Sequence, residues 1–243
     1  MRLFTFAKRN TKELLRDPLN LSFGLGFPLV LILLLSAIQA NIPVDLFKIQ
    51  HLAPGIAVFG LSFLTLFSAT IISKDRDSAL LQRLYTTPMI PADFILGYTL
   101  PIVPIALMQA VVCYIAAIFL GLDITVNILY AVLFIIPVSL LYVALGLLCG
   151  SVFNDKQVGG ICGALLTNLS AWLSGVWFDL ELVGGAFRKI SYALPFVHAV
   201  EMERAVLAGR FDLILPHLLW VLGYALVLLV LAVLLFLRQM KKQ

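Results

Sequence analysis

Three side chains that could bind a metal ion or transfer a proton lie close together in the sequence: His198, Glu201 and Glu203. Zinc sites place their ligands at fixed spacings, such as H-E-x-x-H on one helix or closely paired cysteines. Neither spacing occurs in this chain. The three cysteines all lie inside apolar runs: Cys113, Cys149 and Cys162. We therefore predict no metal site and no cofactor bound by this chain.

A second set of charged side chains lies in the segment SKDRDSALLQRLYTTPMIPADF, residues 73–94. It contains three bases and three acids. Within it, apolar side chains recur at helical spacing at Leu80, Leu81, Leu84 and Tyr85. Pro88 ends the pattern, because proline has no backbone N–H and pushes the preceding residue into extended geometry. The segment therefore predicts a short amphipathic helix over 77–87.

The loop that contains this helix, 74–94, is longer than a connection between two helices requires. Helix–helix connections commonly take about two to eight residues, whereas this one takes 21. The surplus favours docking to a cytoplasmic partner. The alternative is a plain connector whose apolar face rests on lipid headgroups.

The elements on either side of these residues are strongly apolar. The chain has 243 residues, of which 62% are hydrophobic and 12% are charged, whereas a soluble domain carries about 25% charged residues. Apolar runs of about 20 residues are long enough to cross a bilayer. We therefore predict an all-α polytopic membrane protein, with residues 1–243 forming one transmembrane domain. Six spans are predicted, at about 20–40, 52–73, 96–120, 127–151, 158–177 and 213–237.

The distribution of lysine and arginine predicts the orientation of these spans. Twelve of these bases flank the spans on the side of the N-terminus, and five flank them on the other side. Because cytoplasmic loops carry the excess of bases, both termini and the 74–94 loop should be cytoplasmic. Residues 178–212 should then be external. No basic patch is interleaved with aromatic residues, so we predict no nucleic-acid partner.

Residues 1–18 have the pattern of an amphipathic helix that lies in the membrane interface. Lys8, Lys12 and Arg16 form a basic stripe with i, i+4 spacing, apolar residues recur on another face, and Pro18 ends the pattern. Such a helix places its bases near anionic headgroups and its apolar face in the membrane. The alternative is an ordinary basic flank of the first span.

Polar residues inside the predicted spans are uncharged. Five of them are candidates for a weakly polar route for an amphipathic cargo: Ser62, Thr65, Gln109, Thr167 and Asn168. The alternative is that they pack helices together and bond to backbone carbonyls.

The external segment 178–212 is too long for a turn, and Pro195 divides its apolar part. It predicts short helices that dip into the outer leaflet.

Four blocks of the chain resemble the type-2 ATP-binding-cassette (ABC) exporter permeases. RNTKELLRDPLNLSFGLGFPLVLILLL (9–35) is similar to their surface helix and first span, and GSVFNDKQVGGICGALL (150–166) to their second cytoplasmic turn. The first cytoplasmic loop carries LxRLxxTP and then ILGY in place of the commoner ILGK. Residues 173–209 contain the LPxxHAVE core of the family's external segment. The resemblance covers nearly the whole chain.

The resemblance implies roles for three groups of residues. A coupling helix would bind in a cleft of the ATPase through Asp77, Leu80, Leu81, Arg83, Leu84, Tyr85, Thr87 and Pro88. A second cytoplasmic contact would use Asn154, Asp155 and Lys156. An external gate would use Pro195, His198 and Glu201.

The resemblance also implies partners and a location. The expected assembly contains cytoplasmic ABC ATPase subunits, a second permease chain and membrane lipid, in the cytoplasmic membrane of a prokaryote. This chain has no G-x-x-x-x-G-K-[ST] motif to hold nucleotide phosphates. We therefore expect it not to be an enzyme, with ATP and Mg²⁺ bound by the partner ATPase. The expected function is export of an amphipathic or lipid-like compound or drug.

Two other functions are compatible with a polytopic chain. A secondary transporter or channel would act without an ATPase, but it predicts ionisable midplane sites and internal repeats, and neither is evident. An intramembrane enzyme would need a catalytic cluster within the spans, and none is evident in the sequence.

Overall fold

Helices make up most of the part of the chain that the structure describes. In the computed structural model, the described residues are 2–42, 45–78, 80 and 89–241, and no strand occurs among them. The α-helices in chain order are α1 (Arg2–Leu15), α2 (Pro18–Leu21), α3 (Phe27–Asn41), α4 (Ile49–Gly60), α5 (Ser62–Asp77), α6 (Pro91–Thr99), α7 (Ile102–Phe119), α8 (Val126–Val152), α9 (Asp155–Val158), α10 (Thr167–Leu173), α11 (Leu180–Val183), α12 (Gly185–Ala193), α13 (Pro195–Leu207) and α14 (Ile214–Lys241). The prediction of an all-α protein is confirmed.

Five helical segments of the described residues are long and apolar enough to cross a membrane. In chain order they are Ser22–Asn41, Ile49–Asp77, Ala92–Phe119, Val126–Val152 and Phe211–Leu235, and we refer to them as spans A to E. They correspond to five of the six predicted spans. Span B extends beyond both predicted ends, and its helices α4 and α5 follow each other with only Leu61 between them.

The segment predicted as the fifth of the six spans differs from the others. It is helical from Asp155 to Leu173, with a π-helical stretch at Gly159–Leu166, but it is not among the five long apolar helices. Its first turn contains Asp155, Lys156 and Gln157, which lowers its hydropathy. The count of six spans therefore stays a prediction.

Span B is the central helix of the bundle. In its most apolar 18-residue window 89% of the residues are buried, compared with 28% in span A and 17% in span E. Spans A and E therefore lie at the periphery, and most of their apolar side chains face outwards. This arrangement suits a membrane, where outward-facing apolar side chains contact lipid.

Spans B and D pack with their backbones in close contact. Gly146 and Gly150 on span D lie four residues apart, and a Cβ at either would overlap atoms of span B. The overlapping atoms belong to Ser68 and Thr65 at Gly146, and to Ala69 and Ile72 at Gly150. Small residues with this spacing let transmembrane helices approach closely, because lipid provides no hydrophobic force between them. The two glycines therefore set the distance between the spans.

We predict that Gly146→Ala lowers the midpoint of thermal unfolding of the purified protein. The new methyl group must displace Ser68, and overpacking costs roughly 1–3 kcal/mol. Gly223→Ala in span E is the matched control, because no other heavy atom lies within 4 Å of its Cβ position. A thiol-reactive dye can follow unfolding, since the three cysteines are buried. Equal midpoints for the two variants would contradict the role assigned to Gly146.

Candidate functional site

The end of span B nearest α1 carries a buried carboxylate. Asp75 is only 3% exposed, and its Oδ2 accepts hydrogen bonds from Arg9 Nη1 at 2.6 Å and from the Tyr98 hydroxyl at 2.9 Å. These donors come from α1 and α6 respectively. A buried carboxylate needs such partners, because desolvation of an unpaired charge is very costly. Asp75 therefore ties the N-terminal helix and the start of span C to the end of span B.

Helix α1 lies against α6 through both apolar and polar contacts. The Phe6 ring meets the rings of Phe94 and Tyr98 edge-on, with centroids 5.9 and 5.0 Å apart. The buried Asn10 donates from Nδ2 to the Gly97 carbonyl at 2.9 Å. A Cβ at Gly97 would overlap the Phe6 ring, so this close approach requires glycine. The helix predicted for residues 1–18 is confirmed over Arg2–Leu15, but part of its buried face contacts protein.

The neighbouring residue, Arg76, joins span B to the end of span D. It donates from Nη1 to the Ser151 carbonyl at 2.8 Å and from Nη2 to the Phe153 carbonyl at 2.6 Å. The last carbonyls of a helix have no intrahelical partner, and they carry partial negative charge. A guanidinium at this position therefore stabilises the end of α8 and fixes it to α5.

The predicted second cytoplasmic contact begins directly after that helix end. Asn154 caps α9: its Oδ1 accepts from the Gln157 N–H at 2.9 Å, and Gln157 Oε1 accepts from the Asn154 N–H at 3.2 Å. Asp155 lies in the first turn, where an acid is favoured by the helix dipole. Lys156 is exposed. The three residues thus lie beside the Arg76 contact, on a capped helix start.

Only two of the predicted coupling residues fall in the described part of the chain. Asp77 is the last residue of α5 and is exposed, and Leu80 is partly buried. The other six lie outside the described residues: Leu81, Arg83, Leu84, Tyr85, Thr87 and Pro88. The helix predicted for 77–87 therefore stays a prediction. The structure does show the contacts of Asp75 and Arg76, which immediately precede the predicted helix.

The five candidates for a polar route are dispersed among the spans. Ser62, Thr65, Gln109 and Thr167 are buried, and Asn168 is exposed. Four of them donate to backbone carbonyls: Thr65 to Tyr142 at 2.9 Å, Gln109 to Ala57 at 3.2 Å, Thr167 to Cys162 at 3.0 Å and Asn168 to Ala164 at 2.8 Å. These bonds fit the alternative of helix packing. A cargo route through these residues stays a prediction.

At the opposite end of the bundle, the candidate gate residues lie on α13. Pro195 occupies the first helical position, where its missing N–H costs nothing. His198 Nδ1 lies 2.9 Å from Nδ1 of His217 in α14, and its ring stacks on Trp220 with centroids 4.8 Å apart. Glu201 accepts a hydrogen bond from Arg204 at 2.9 Å. The three predicted residues are therefore on one helix, and His198 joins it to span E.

The hydrogen bonds of His198 define its protonation. Nε2 lies 2.9 Å from the Tyr192 carbonyl oxygen, which can only accept, so Nε2 carries a proton. In the neutral ring Nδ1 then accepts from Nδ1–H of His217. Burial lowers the pKa of His198 below its ordinary value. The neutral ring and the link between α13 and α14 are thus fully maintained above a pH of about 6.5, and they are lost as the pH falls through the lowered pKa of His198.

The comparison with known families identifies the chain. The model of the ABC-2 type transporter family matches residues 1–208, which include the contacts of Asp75 and Arg76 and the candidate gate. This chain belongs to the ABC-2 type transporter family. No curated protein matches it. Membership of this family indicates the permease of an ABC transporter, and such permeases normally act with an ABC ATPase.

One residue of this ABC-2 protein, Glu203, is buried although the sequence analysis did not predict its burial. Glu203 on α13 is fully buried, its Oε2 lies 3.4 Å from the Tyr114 hydroxyl, and its Oε1 has no partner among the described residues. Burial raises the pKa of Glu203 well above its ordinary value. A sequence signal existed, because Glu203 lies at helical spacing between the apolar residues Val200 and Val206.

We predict that Arg9→Ala lowers the unfolding midpoint more than Lys12→Ala, the loss of an exposed base on the same helix. Without Arg9, the buried Asp75 carboxylate keeps the hydrogen bond from the Tyr98 hydroxyl but loses its ion pair. A cost of about 1–3 kcal/mol is expected, between the values for exposed and buried ion pairs. The double variant Arg9→Ala/Asp75→Asn should regain part of the loss. A double variant less stable than Arg9→Ala would contradict the pairing.

We predict that Glu203→Gln raises the unfolding midpoint at pH 8 and has little effect at pH 5. Because the folded-state pKa of Glu203 is raised, the folded protein holds a proton that the unfolded chain releases above a pH of about 4.3. Stability of the native protein therefore falls as the pH rises above that value, and glutamine avoids this loss. Glu13→Gln, at an exposed position, serves as the control. A pH-independent difference would contradict the protonated state.

Proposed function

We propose that this chain is the permease subunit of an ATP-driven exporter that moves an amphipathic or lipid-like compound or drug out of the cell. ATP and Mg²⁺ would bind to a separate cytoplasmic ATPase. The observation that carries this proposal is the pair of contacts made by Asp75 and Arg76, in a chain that belongs to the ABC-2 type transporter family. These contacts lie directly before the predicted coupling helix.

The geometry of these contacts supports a mechanical role for the loop. A force applied to residues 77–87 would act on the end of α5. Asp75 would pass it to α1 and α6, and Arg76 would pass it to the end of α8. Short hydrogen bonds between charged groups are the strongest polar contacts in proteins. We therefore propose that the ends of spans B, C and D move together when the ATPase moves the loop.

The proposed arrangement in the membrane follows the distribution of charge and of exposed apolar surface. Both termini and the Asp75 end of span B would be cytoplasmic, and α13 would lie in an external re-entrant segment. The helical segment Asp155–Leu173 would complete the count of six spans. Spans A and E expose apolar faces, which would contact lipid or a second permease chain. The location would be the cytoplasmic membrane of a prokaryote.

The proposed class of cargo follows from the chemistry of the spans. The candidate route contains hydroxyl and amide groups and no ionised group, so an ion or sugar polymer would find few partners there. An amphipathic compound needs only weakly polar contacts along an apolar path. We propose that such a compound leaves past α13, whose contacts with spans C and E would form the external gate.

The alternative is a secondary transporter or channel that acts without an ATPase. Co-purification distinguishes an ATP-driven exporter from a secondary transporter or channel. In cells that encode the cognate ATPase, the tagged chain should recover the ATPase, and cargo should stimulate ATP hydrolysis by the complex. A secondary transporter would be recovered without it and would respond to an ion gradient.

We predict that Leu81→Asp/Leu84→Asp abolishes recovery of the ATPase and export while the chain stays in the membrane. Burial of a leucine contributes roughly 1.5–3 kcal/mol, and a buried aspartate adds a desolvation cost. Arg83→Ala is the control in the same loop, because an exposed ion pair contributes only about 0–1 kcal/mol. Normal ATPase binding and cargo-stimulated hydrolysis in the double variant would leave the loop a plain connector.

A further inference from the structure

A cavity of about 630 Å³ lies at the end of span B opposite Asp75. Its lining comes from the segment from Asp45 to His51, the turn that follows α10, helices α11 to α13, and Arg210 beyond α13. None of the predicted route residues lines it. Its size is within the range of cavities that bind small ligands. Its walls combine aromatic and charged side chains, and these side chains indicate which class of ligand the cavity could bind.

Arg204 joins three of the chain segments that line this cavity. Its side chain is only 10% exposed. It donates to the His51 carbonyl at 3.3 Å, to the Gly175 carbonyl at 3.1 Å and to Glu201 Oε1 at 2.9 Å. A guanidinium has five N–H donors, so two of them have no acceptor among the described residues. A nearly buried cation therefore retains donors at the wall of the cavity.

The cavity lining contains three acids and two arginines, and each acid already has a partner among the described residues. Glu201 is paired with Arg204, and Asp45 is paired with Lys48 at 2.6 Å. Asp179 accepts from a backbone N–H in its own turn at 2.9 Å. Arg210 makes no ion pair within the described part of the chain, and it lines this cavity and a neighbouring one of about 230 Å³. Arg204 and Arg210 together favour an anion.

The other lining residues favour an apolar body on that anion. Four aromatic side chains contribute to the walls: Phe47, Trp177, Phe178 and Tyr192. Packing behind the wall positions two of these rings. Trp177 meets Phe59 edge-on at 5.7 Å, and Phe178 lies 5.9 Å from Phe187. Rings fixed from behind present a flat apolar surface to a ligand at little cost in side-chain entropy.

We propose that this cavity binds an amphipathic anion, with a phosphate or carboxylate group on Arg204 and Arg210 and an apolar chain against the aromatic wall. Guanidinium groups match these anions in a bidentate geometry. The inference rests on the proposed function in one respect, because it narrows the proposed amphipathic cargo to anions that reach the external end of the bundle. Binding itself requires neither ATP nor the ATPase.

The test uses the full-length chain in phosphatidylcholine nanodiscs, with hexyl phosphate as the probe and calorimetry as the measurement. Hexyl phosphate should bind saturably, and inorganic phosphate or hexanol alone should bind at least about tenfold more weakly, since each supplies only half of the contacts. Hexyltrimethylammonium should not compete. Arg210→Glu should weaken binding by about tenfold or more. Lys189→Glu, an exposed base outside the cavity, should change it by less than about twofold.

Nanodiscs that contain phosphatidylglycerol identify the source of the anion. If the headgroup of an anionic lipid occupies the cavity, the apparent affinity for hexyl phosphate falls in these discs but not in those with Arg210→Glu. If the ligand is a free amphiphile, the affinity is the same in both lipids. Either result supports an amphipathic-anion site.

Equal weakening by Arg210→Glu and Lys189→Glu would overturn the proposal, because it would show unspecific attraction. Binding of inorganic phosphate as tight as that of hexyl phosphate would also overturn it. Failure of the chain to recover an ATPase would instead refute the proposed function and leave the binding result standing. The two inferences can therefore fail separately.

Discussion

The burial of span B on almost all sides is the constraint on which the rest of the structure depends. A helix in this position exposes few of its polar groups to water, so they bond within the helix or to neighbouring elements. Thr65 bonds to the Tyr142 carbonyl, and Asp75 bonds to Arg9 and Tyr98. Close approach of span D then requires glycine at positions 146 and 150. The positions of α1, α6 and α8 follow from these demands.

Arginine side chains from other helices hold span B at both ends. Arg9 reaches the buried Asp75 at one end, and Arg204 reaches the His51 carbonyl at the other. The 29 residues between Ile49 and Asp77 correspond to about 43 Å of helix. A displacement of the central span would therefore move both the start of the predicted coupling helix and the wall of the cavity beside Arg204. This is the physical link between the proposed ATPase contact and the proposed anion site.

Sequence reasoning located the candidate site better than it described the contacts within it. The sequence predicts that the charged loop 74–94 docks to a cytoplasmic partner. The structure shows that Asp75 and Arg76 bond within the chain, and Asp77 is exposed. Glu203 was treated as part of an external segment, yet it is fully buried. In both cases the nearest partner is distant in sequence: Arg9 is 66 residues from Asp75, and Tyr114 is 89 residues from Glu203.

The sequence by itself determined the class of protein, the positions of the five long apolar helices and the presence of the N-terminal amphipathic helix. These features depend on hydropathy and periodicity along one segment, which can be seen without knowing what the segment packs against. Only the tertiary structure decided that span B is central, that Asp75 and Glu203 are buried and that Arg204 closes a cavity. Burial and charge pairing are properties of contacts between distant segments. The same residue can face water, lipid or protein according to the helix packed beside it.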